Sequence, residues 1–133
     1  MEEDKRRGSE MDGKTKQEIE SAVSQAMTKF LKEQLGEEAE TVTVQVADDA
    51  IIVRFKGVMS PAERFLVKNQ EGMRLIKELK GKLIERARPL LETMIKNLID
   101  AEVVDIHSSF DPTTGERIEI FTLNKDLEKI SSV

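Results

Sequence analysis

The sequence predicts an α+β domain of two helix-plus-β-hairpin halves, which form a four-stranded, mainly antiparallel sheet with helices packed on one face. Three observations predict this fold. Apolar residues recur with a helical period before residue 36, they alternate with period two over residues 41–57, and the order of helices followed by a hairpin returns over residues 61–123. A chain of 133 residues has the size of a single domain.

The first half begins with a helix predicted over Thr15–Leu35. Gly36 follows it, and Gly readily takes the left-handed conformation that ends a helix. Strands predicted over Thr41–Ala47 and Ala50–Gly57 then form a hairpin around the turn Asp48-Asp49. The apolar stripe of the helix comprises Ile19, Val23, Met27, Phe30 and Leu31.

The second half begins at a helix start signal, Ser60-Pro61-Ala62-Glu63. Ser60 and Glu63 have the spacing of a capping box, and Pro61 suits the first helical position. A catalytic role for this Ser and Glu is disfavoured because no His lies nearby in the sequence. The pattern predicts a short helix over Pro61–Asn69.

A long helix is predicted after Gly72, and it ends near Leu98. Gly81 and Pro89 interrupt its pattern, and Pro89 should kink it because proline cannot donate the helical hydrogen bond. The stripe predicted to face the core comprises Ile76, Leu79, Leu83, Ala87, Leu90, Met94 and Leu98, and three further apolar residues lie beside it, namely Ile84, Leu91 and Ile95.

The last hairpin is predicted over Glu102–Ser108 and Glu116–Leu123, around a turn whose Pro and Gly favour chain reversal. Ile118 and Ile120 provide one apolar face of its second strand. The folded domain is thus predicted over residues 15–124. Residues 1–14 form a tail expected to be disordered because it has almost no apolar residue, and residues 125–133 form a C-terminal tail.

The composition excludes several functional classes. The chain has no Cys, which excludes thiol nucleophiles and thiolate metal sites, and its single His excludes a multi-histidine site within one chain. A formal net charge of −5 disfavours nucleic-acid binding. No apolar run approaches the roughly 20 residues of a membrane span. We therefore expect a cytoplasmic protein with no cofactor, no metal site and no direct membrane insertion.

Two groups of residues are candidates for a functional site. Asp105 and His107 lie two apart on a predicted strand and so share a face, where they would form a proton-transfer pair or two metal ligands, although a solvated surface pair is the more common arrangement. The second group is a basic surface for an acidic partner, although mixed charges at helical spacing usually only face water. It comprises Arg64, Arg74, Lys77, Arg86 and Arg88.

A two-fold homodimer is predicted from two features. The strand Thr41–Ala47 has no charged residue or proline to protect it as a bare sheet edge. In addition, the long helix has more apolar positions than one sheet face readily covers, and a second copy would cover the rest.

Two stretches resemble a known family in their order of motifs. TVTVQVADDAIIVRFKGVMSPAERFLV has a valine hairpin, a short loop and a Ser-Pro-Ala-Glu helix start, and ARPLLETMIKNLIDAEVVDIHSSFDPTTGERIEIFTL has an Arg-Pro helix, a strand, an Asp-Pro loop and a final strand with a Phe. In that order, over Lys16 to Asn124, they resemble the MpsC-like family of small bacterial proteins. That family is named for a Na+-translocating system that generates membrane potential. The Gly expected before the third strand is missing from Leu98–Ala101.

The resemblance implies a non-enzymatic accessory protein that interacts with other proteins and is associated with such a system, including a membrane-protein partner. The resemblance does not identify any catalytic residue in this sequence. The sequence leaves two alternatives open: a small-molecule-binding or enzymatic domain that uses Asp105 and His107, and an RNA-associated module that uses the basic segment around residues 61–100.

Overall fold

The computed structural model describes residues 15–128, and the predicted N-terminal tail lies outside them. In chain order the elements are α1 (Lys16–Phe30), a π-helical turn (Leu31–Leu35), β1 (Thr41–Ala47), β2 (Ala50–Lys56), α2 (Pro61–Leu66), α3 (Gln70–Ile99), β3 (Val103–Asp111) and β4 (Glu116–Leu123). The four strands form one sheet in the order β1-β2-β4-β3, and every neighbouring pair is antiparallel. The predicted α+β class is confirmed.

Helix α1 begins and ends with local signals that the sequence carries. Thr15 and Glu18 form a capping box in which each side chain accepts a hydrogen bond from the other residue's backbone N–H. At the other end the helix widens into the π-helical turn and stops at Gly36, whose φ is 63°. The helical segment therefore begins at Lys16, one residue after the predicted start, and ends at the predicted Leu35.

Strand β1 is an edge of the sheet, but α1 lies against it. The Ser24 hydroxyl donates to the Val42 carbonyl oxygen at 3.4 Å, and Glu20 accepts a hydrogen bond of 2.8 Å from the Val46 N–H. Side chains of α1 thereby satisfy backbone groups that point away from β2. Two backbone groups of this edge are thus satisfied within the chain, which weakens one of the two arguments for a dimer.

The core lies between one face of the sheet and the helices α1 and α3. Alternate residues of β2 and β4 face the helices and are buried, whereas the residues between them face outward. The apolar core includes Ile19, Val23 and Met27 of α1, Ile51, Val53 and Phe55 of β2, Ile84, Leu91 and Ile95 of α3, and Phe121 and Leu123 of β4. Leu127, beyond the last strand, is also buried.

The stripe predicted to face the core on α3 is only partly right: Ile76 and Ala87 are buried, but the other predicted residues are not. Leu79 and Leu90 are 45% and 53% exposed, whereas Ile84, Leu91 and Ile95 are buried. The helix positions that face the core include position 80, which is Lys in this sequence. Without that position the apolar residues suggest a stripe that lies one residue before the buried positions. The apolar residues that the core leaves exposed therefore include Leu79 and Leu90. The three residues predicted to lie beside the core stripe are buried instead.

The long helix is continuous over 30 residues, so neither Gly81 nor Pro89 ends it. Asp100, the residue that caps its C-terminus after Ile99, adopts φ 51° and ψ 47°, the left-handed conformation that Gly usually takes at a helix end. Asp100 thus occupies the place where the family resemblance led us to expect a Gly. Asn and Asp tolerate this conformation better than most residues.

The break between α2 and α3 lies before Gly72 and not at it. Helix α2 ends at Leu66, and Asn69 caps α3 by accepting a hydrogen bond from the Gly72 N–H. Gly72 is buried in the first turn of α3, where a Cβ atom would overlap the backbone carbonyl oxygen of Leu66. The glycine is therefore required by the close approach of the two helices.

Gly72→Ala should destabilise the protein by about 1–3 kcal/mol, because the Leu66 backbone has to move to accept the methyl group. Gly81→Ala is the matched control, since a Cβ at this exposed position of the same helix meets nothing within 4 Å. That control should instead stabilise the protein by up to about 1 kcal/mol through helix propensity. Urea unfolding measures both values, and equal effects of the same sign would contradict the steric explanation.

Candidate functional site

A cleft of about 830 Å³ opens where the C-terminal end of α1 meets α2 and α3. One wall is formed by the π-helical turn and residues 36–40, and a second by residues 57–61, which lead into α2. Leu79 and Leu83 of α3 complete it. A helix cap fixes each of these segments. Gly36 ends the π-helical turn, Ser60 begins α2 and Asn69 begins α3.

Lys80 lies at the floor of this cleft and is only 1% exposed. Its ammonium group donates to Glu37 Oε2, to the Val58 carbonyl oxygen at 3.0 Å and to Glu63 Oε1 at 3.2 Å. An ammonium group has three protons, so all of its donors are used. Lys80 therefore ties α3 to the loop after α1, to the loop after β2 and to α2.

Glu37 joins two buried cations. Its Oε2 accepts from Lys80, and its Oε1 accepts from Arg117 Nη1 at 3.1 Å. The side chain is 9% exposed, and that of Arg117 is 0% exposed. Because charges are costly to bury without partners, these three side chains hold one another in place.

Glu63 both caps α2 and binds Lys80. Burial opposes ionisation of its carboxyl group, but hydrogen bonds from the Ser60 N–H and the Lys80 ammonium outweigh this, and the pKa of Glu63 is lowered. Its Oε1 accepts both bonds. The capping box predicted for Ser60 and Glu63 is confirmed, and Glu63 has a second structural role that the prediction did not include.

Two charged residues of β4 face the core behind this network. Arg117 and Glu119 lie two apart and are both fully buried. Within residues 15–128, Nε and Nη2 of Arg117 and both carboxylate oxygens of Glu119 have no hydrogen-bond partner. Burial raises the pKa of Glu119 to about 7, partly opposed by the charge of Arg117 and reinforced by that of Glu37.

The buried groups thus form a charge network that spans the fold, which we call the lysine network (Glu37, Glu63, Lys80 and Arg117). Its members bind one another, and the three protons of Lys80 are all donated within the fold. The part of the cleft that another molecule reaches first is its rim. The rim includes the exposed side chains of Glu38 and Glu40, and Glu40 pairs with Arg64.

A strip of exposed apolar side chains continues from the cleft along α2 and α3. Phe65 is 70% exposed, and the other members are about half exposed. Phe65, Leu66 and Leu75 line a shallow groove, and Leu79, one turn after Leu75, lines the cleft. We call Phe65, Leu66, Leu75 and Leu79 the leucine strip. Exposed apolar clusters of this kind usually mark contact surfaces.

The residues predicted to form a basic surface are dispersed. Arg64 pairs with Glu40, Arg74 with Glu78 and Arg88 with Glu92. Arg64 lies in a cavity beside the turn at residues 111–116, whereas Arg88 lines a groove against β3. All five candidates, which include Lys77 and Arg86, are exposed, but the structure does not bring them together as one surface.

Asp105 and His107 are exposed on β3, opposite Thr122 and Ile120 of β4. They lie on the outer face of the sheet, away from the cleft. No group of three or more His, Cys, Asp or Glu side chains in the described part of the chain is arranged to hold a metal ion. The structure therefore does not join this pair to the lysine network.

The lysine network was not predicted from the sequence. Ile118 and Ile120 were predicted to form the apolar face of β4, but these residues are half-buried on the outer side, and Arg117 and Glu119 occupy the core side. The sequence does contain one indication of this orientation. Phe121 and Leu123 lie an even number of residues after Arg117 and Glu119, so all four side chains point to the same face of the strand. Lys80 was not among the candidate residues that the sequence indicated.

None of the helices in residues 15–128 is both long enough and apolar enough to cross a bilayer. The fold and the site define a small α+β domain in which helices cover one face of an antiparallel sheet and a charged cleft opens beside exposed leucines. Residues 15–125 match the family model described as "Na+-translocating membrane potential-generating system (MpsC)". The chain belongs to the MpsC family, as the motif order indicated.

A curated relative supports this assignment. The chain is 35% identical over 116 residues to the uncharacterized protein YbcI of Bacillus subtilis (strain 168), and the alignment covers 87% of this chain and 94% of that protein. No solved structure shows a significant match.

Proposed function

We propose that this chain is a non-enzymatic, cytoplasmic accessory protein that binds a membrane-protein partner within a Na+-translocating, membrane-potential-generating system. The Na+-translocating system in this proposal is the one that the description of the matching family names. The observation that carries the proposal is the cleft with the leucine strip beside it: the charged groups at its floor are occupied by one another, and apolar side chains around it are exposed. Such an arrangement suits a binding surface better than a reaction site.

The two alternatives receive less support. Asp105 and His107 lie exposed on the outer sheet face, without a cavity around them like the one at Lys80. The basic residues of α2 and α3 are dispersed, and three of them pair with glutamates, which disfavours a continuous surface for an RNA backbone.

The test is the Na+-dependent membrane potential of the native host, measured with a voltage-sensitive dye. Deleting the gene should lower the potential, and the wild-type chain should restore it. The double variant Leu75→Asp/Leu79→Asp should not restore it, whereas Leu90→Asp, an exposed leucine of the same helix that does not line the cleft, should. An unchanged potential after deletion would overturn the proposal.

A two-fold homodimer is the assembly that we propose for this protein. Its support comes from the outer sheet face, where Ile52, Ile118 and Ile120 are only half-buried within the chain. Sedimentation equilibrium at micromolar concentration should give twice the chain mass of 15.1 kDa. A mass that stays at the single-chain value would contradict the dimer.

A further inference from the structure

We infer that Glu119 is a proton-controlled switch: while it holds a proton, Glu37 stays bound inside the fold, and when it loses the proton, Glu37 turns to solvent and loosens the cleft wall formed by residues 36–40. This inference concerns the buried charges and does not depend on the proposed membrane partner. Two observations carry it, namely the charge balance of the lysine network and four buried side-chain atoms of Arg117 and Glu119 that have no partner within residues 15–128.

The buried charges balance only while Glu119 is neutral. The lysine network contains two cations and two carboxylates that accept hydrogen bonds from them, namely Lys80, Arg117, Glu37 and Glu63. Glu119 lies on the same core face of β4 as Arg117 and is itself fully buried. Its ionisation adds one negative charge without a matching cation, and an unpaired charge in the core is costly.

The charges that act on Glu119 are those of Arg117, which favours ionisation, and Glu37, which opposes it. The neighbouring strands contribute Val53 and Ser108 to the core face beside it, and their charged residues lie on the outer face. The buried residues of α1 are apolar, and α3 buries one charged side chain, which is that of Lys80. The groove beside Ser108 is lined by two further charged residues of α3, both exposed, Glu85 and Arg88.

Arg117 is arranged to receive an ionised Glu119. Its Nη1 donates to Glu37 Oε1 at 3.1 Å, whereas Nε and Nη2, the two donors on one side of the guanidinium, are without a partner among the described residues. Both oxygens of Glu119 are unpartnered there as well. The two residues are two positions apart on one face, with about 7 Å between their Cα atoms. A pair of guanidinium donors matches the two oxygens of a carboxylate.

Two carboxylates then compete for Arg117, and Glu37 is the one that can leave. Glu119 belongs to β4, which is held between β2 and β3 in the sheet. Glu37 follows the π-helical turn and lines the cleft, and its side chain is already 9% exposed. Its exit breaks no strand pairing, and Lys80 keeps its other two acceptors.

The exchange falls near neutral pH, because burial raises the pKa of Glu119 to about 7. Below this pH the buried charges balance, and Glu37 holds residues 36–40 against the core. Above it Glu119 is ionised and binds the free donors of Arg117, so Glu37 loses one of its two cations. The cleft wall that residues 36–40 form is then held less tightly.

Two backbone amides of this wall report the change. The Glu37 N–H donates to the Leu31 carbonyl oxygen at 2.9 Å, and the Glu40 N–H donates to that of Lys56 at 2.7 Å. Hydrogen exchange of the purified full chain, followed by NMR and corrected for the intrinsic effect of pH, gives their protection factors. Between pH 6 and pH 8.5 both factors should fall at least about tenfold.

An amide outside the network is the internal reference. The Asn124 N–H donates to the Glu102 carbonyl oxygen at 3.0 Å, beyond the end of β4. Its protection factor should change less than about twofold over the same pH range, because no group of the lysine network holds it.

Variants separate the switch from a general effect of pH. Glu119→Gln cannot ionise and should abolish the fall in protection. Glu37→Gln removes one carboxylate, so that an ionised Glu119 restores the charge balance, and its protection should also not depend on pH. This second variant keeps the test decisive if Glu119→Gln does not fold. Glu116→Gln, on the outer side of β4, should behave as wild type.

Three results would overturn the inference. The first is wild-type protection of residues 36–40 that does not change between pH 6 and pH 8.5. The second is a fall of wild-type size in Glu119→Gln or Glu37→Gln. The third is a fall at Asn124 as large as that at Glu37, which would indicate loosening of the whole fold.

Discussion

Lys80→Met should lower the free energy of unfolding by about 3–5 kcal/mol, the loss typical of removing one partner from a buried ion pair. Methionine fills a similar volume but donates no hydrogen bond. Glu37 would then keep only Arg117 as a partner, and Glu63 would keep only its bonds at the start of α2. Urea unfolding followed by circular dichroism measures the effect.

Lys82→Met is the matched control for this variant. Lys82 lies on the exposed side of the same helix, so its replacement should change the stability by less than about 0.5 kcal/mol. If Lys80→Met fails to fold, Glu63→Gln removes one of the two negative charges that face Lys80 while keeping an oxygen that accepts its hydrogen bond, and it should give a smaller loss. Stability of Lys80→Met equal to wild type would show that the lysine network is not needed for the fold.

Between pH 4.5 and pH 7 the wild-type protein should lose about 3 kcal/mol of stability through Glu119. Burial raises the pKa of Glu119 in the folded protein from 4.5 to about 7. In that interval the unfolded chain has released the proton and the folded chain still holds it, so stability falls as the pH rises. Above pH 7 both states are ionised, and this contribution to the pH dependence ends.

Glu119→Gln cannot ionise and should remove this slope. Relative to wild type, the variant should gain stability between pH 5 and pH 8, as measured by urea midpoints at each pH. Glu116→Gln is the control, because its side chain lies on the outer side of the same strand. A constant difference between Glu119→Gln and wild type across this range would show that Glu119 does not bind a proton in the fold.

Local signals in the sequence determined most of the fold. Capping boxes, a left-handed glycine and alternating apolar residues act over a few residues, so α1, the first hairpin and the start of α2 could be predicted to within a residue or two. The motif order was enough to indicate the family.

Only the tertiary structure decided which side chains form the site. Lys80, Arg117 and Glu119 occupy core positions, and a charged residue there breaks the apolar pattern from which the core is predicted. Lys80 is stable in the core because Glu37, 43 residues away in the chain, and Glu63 reach it. Long-range pairing of this kind leaves no local signal, so the sequence alone did not indicate Lys80 and placed exposed leucines in the core.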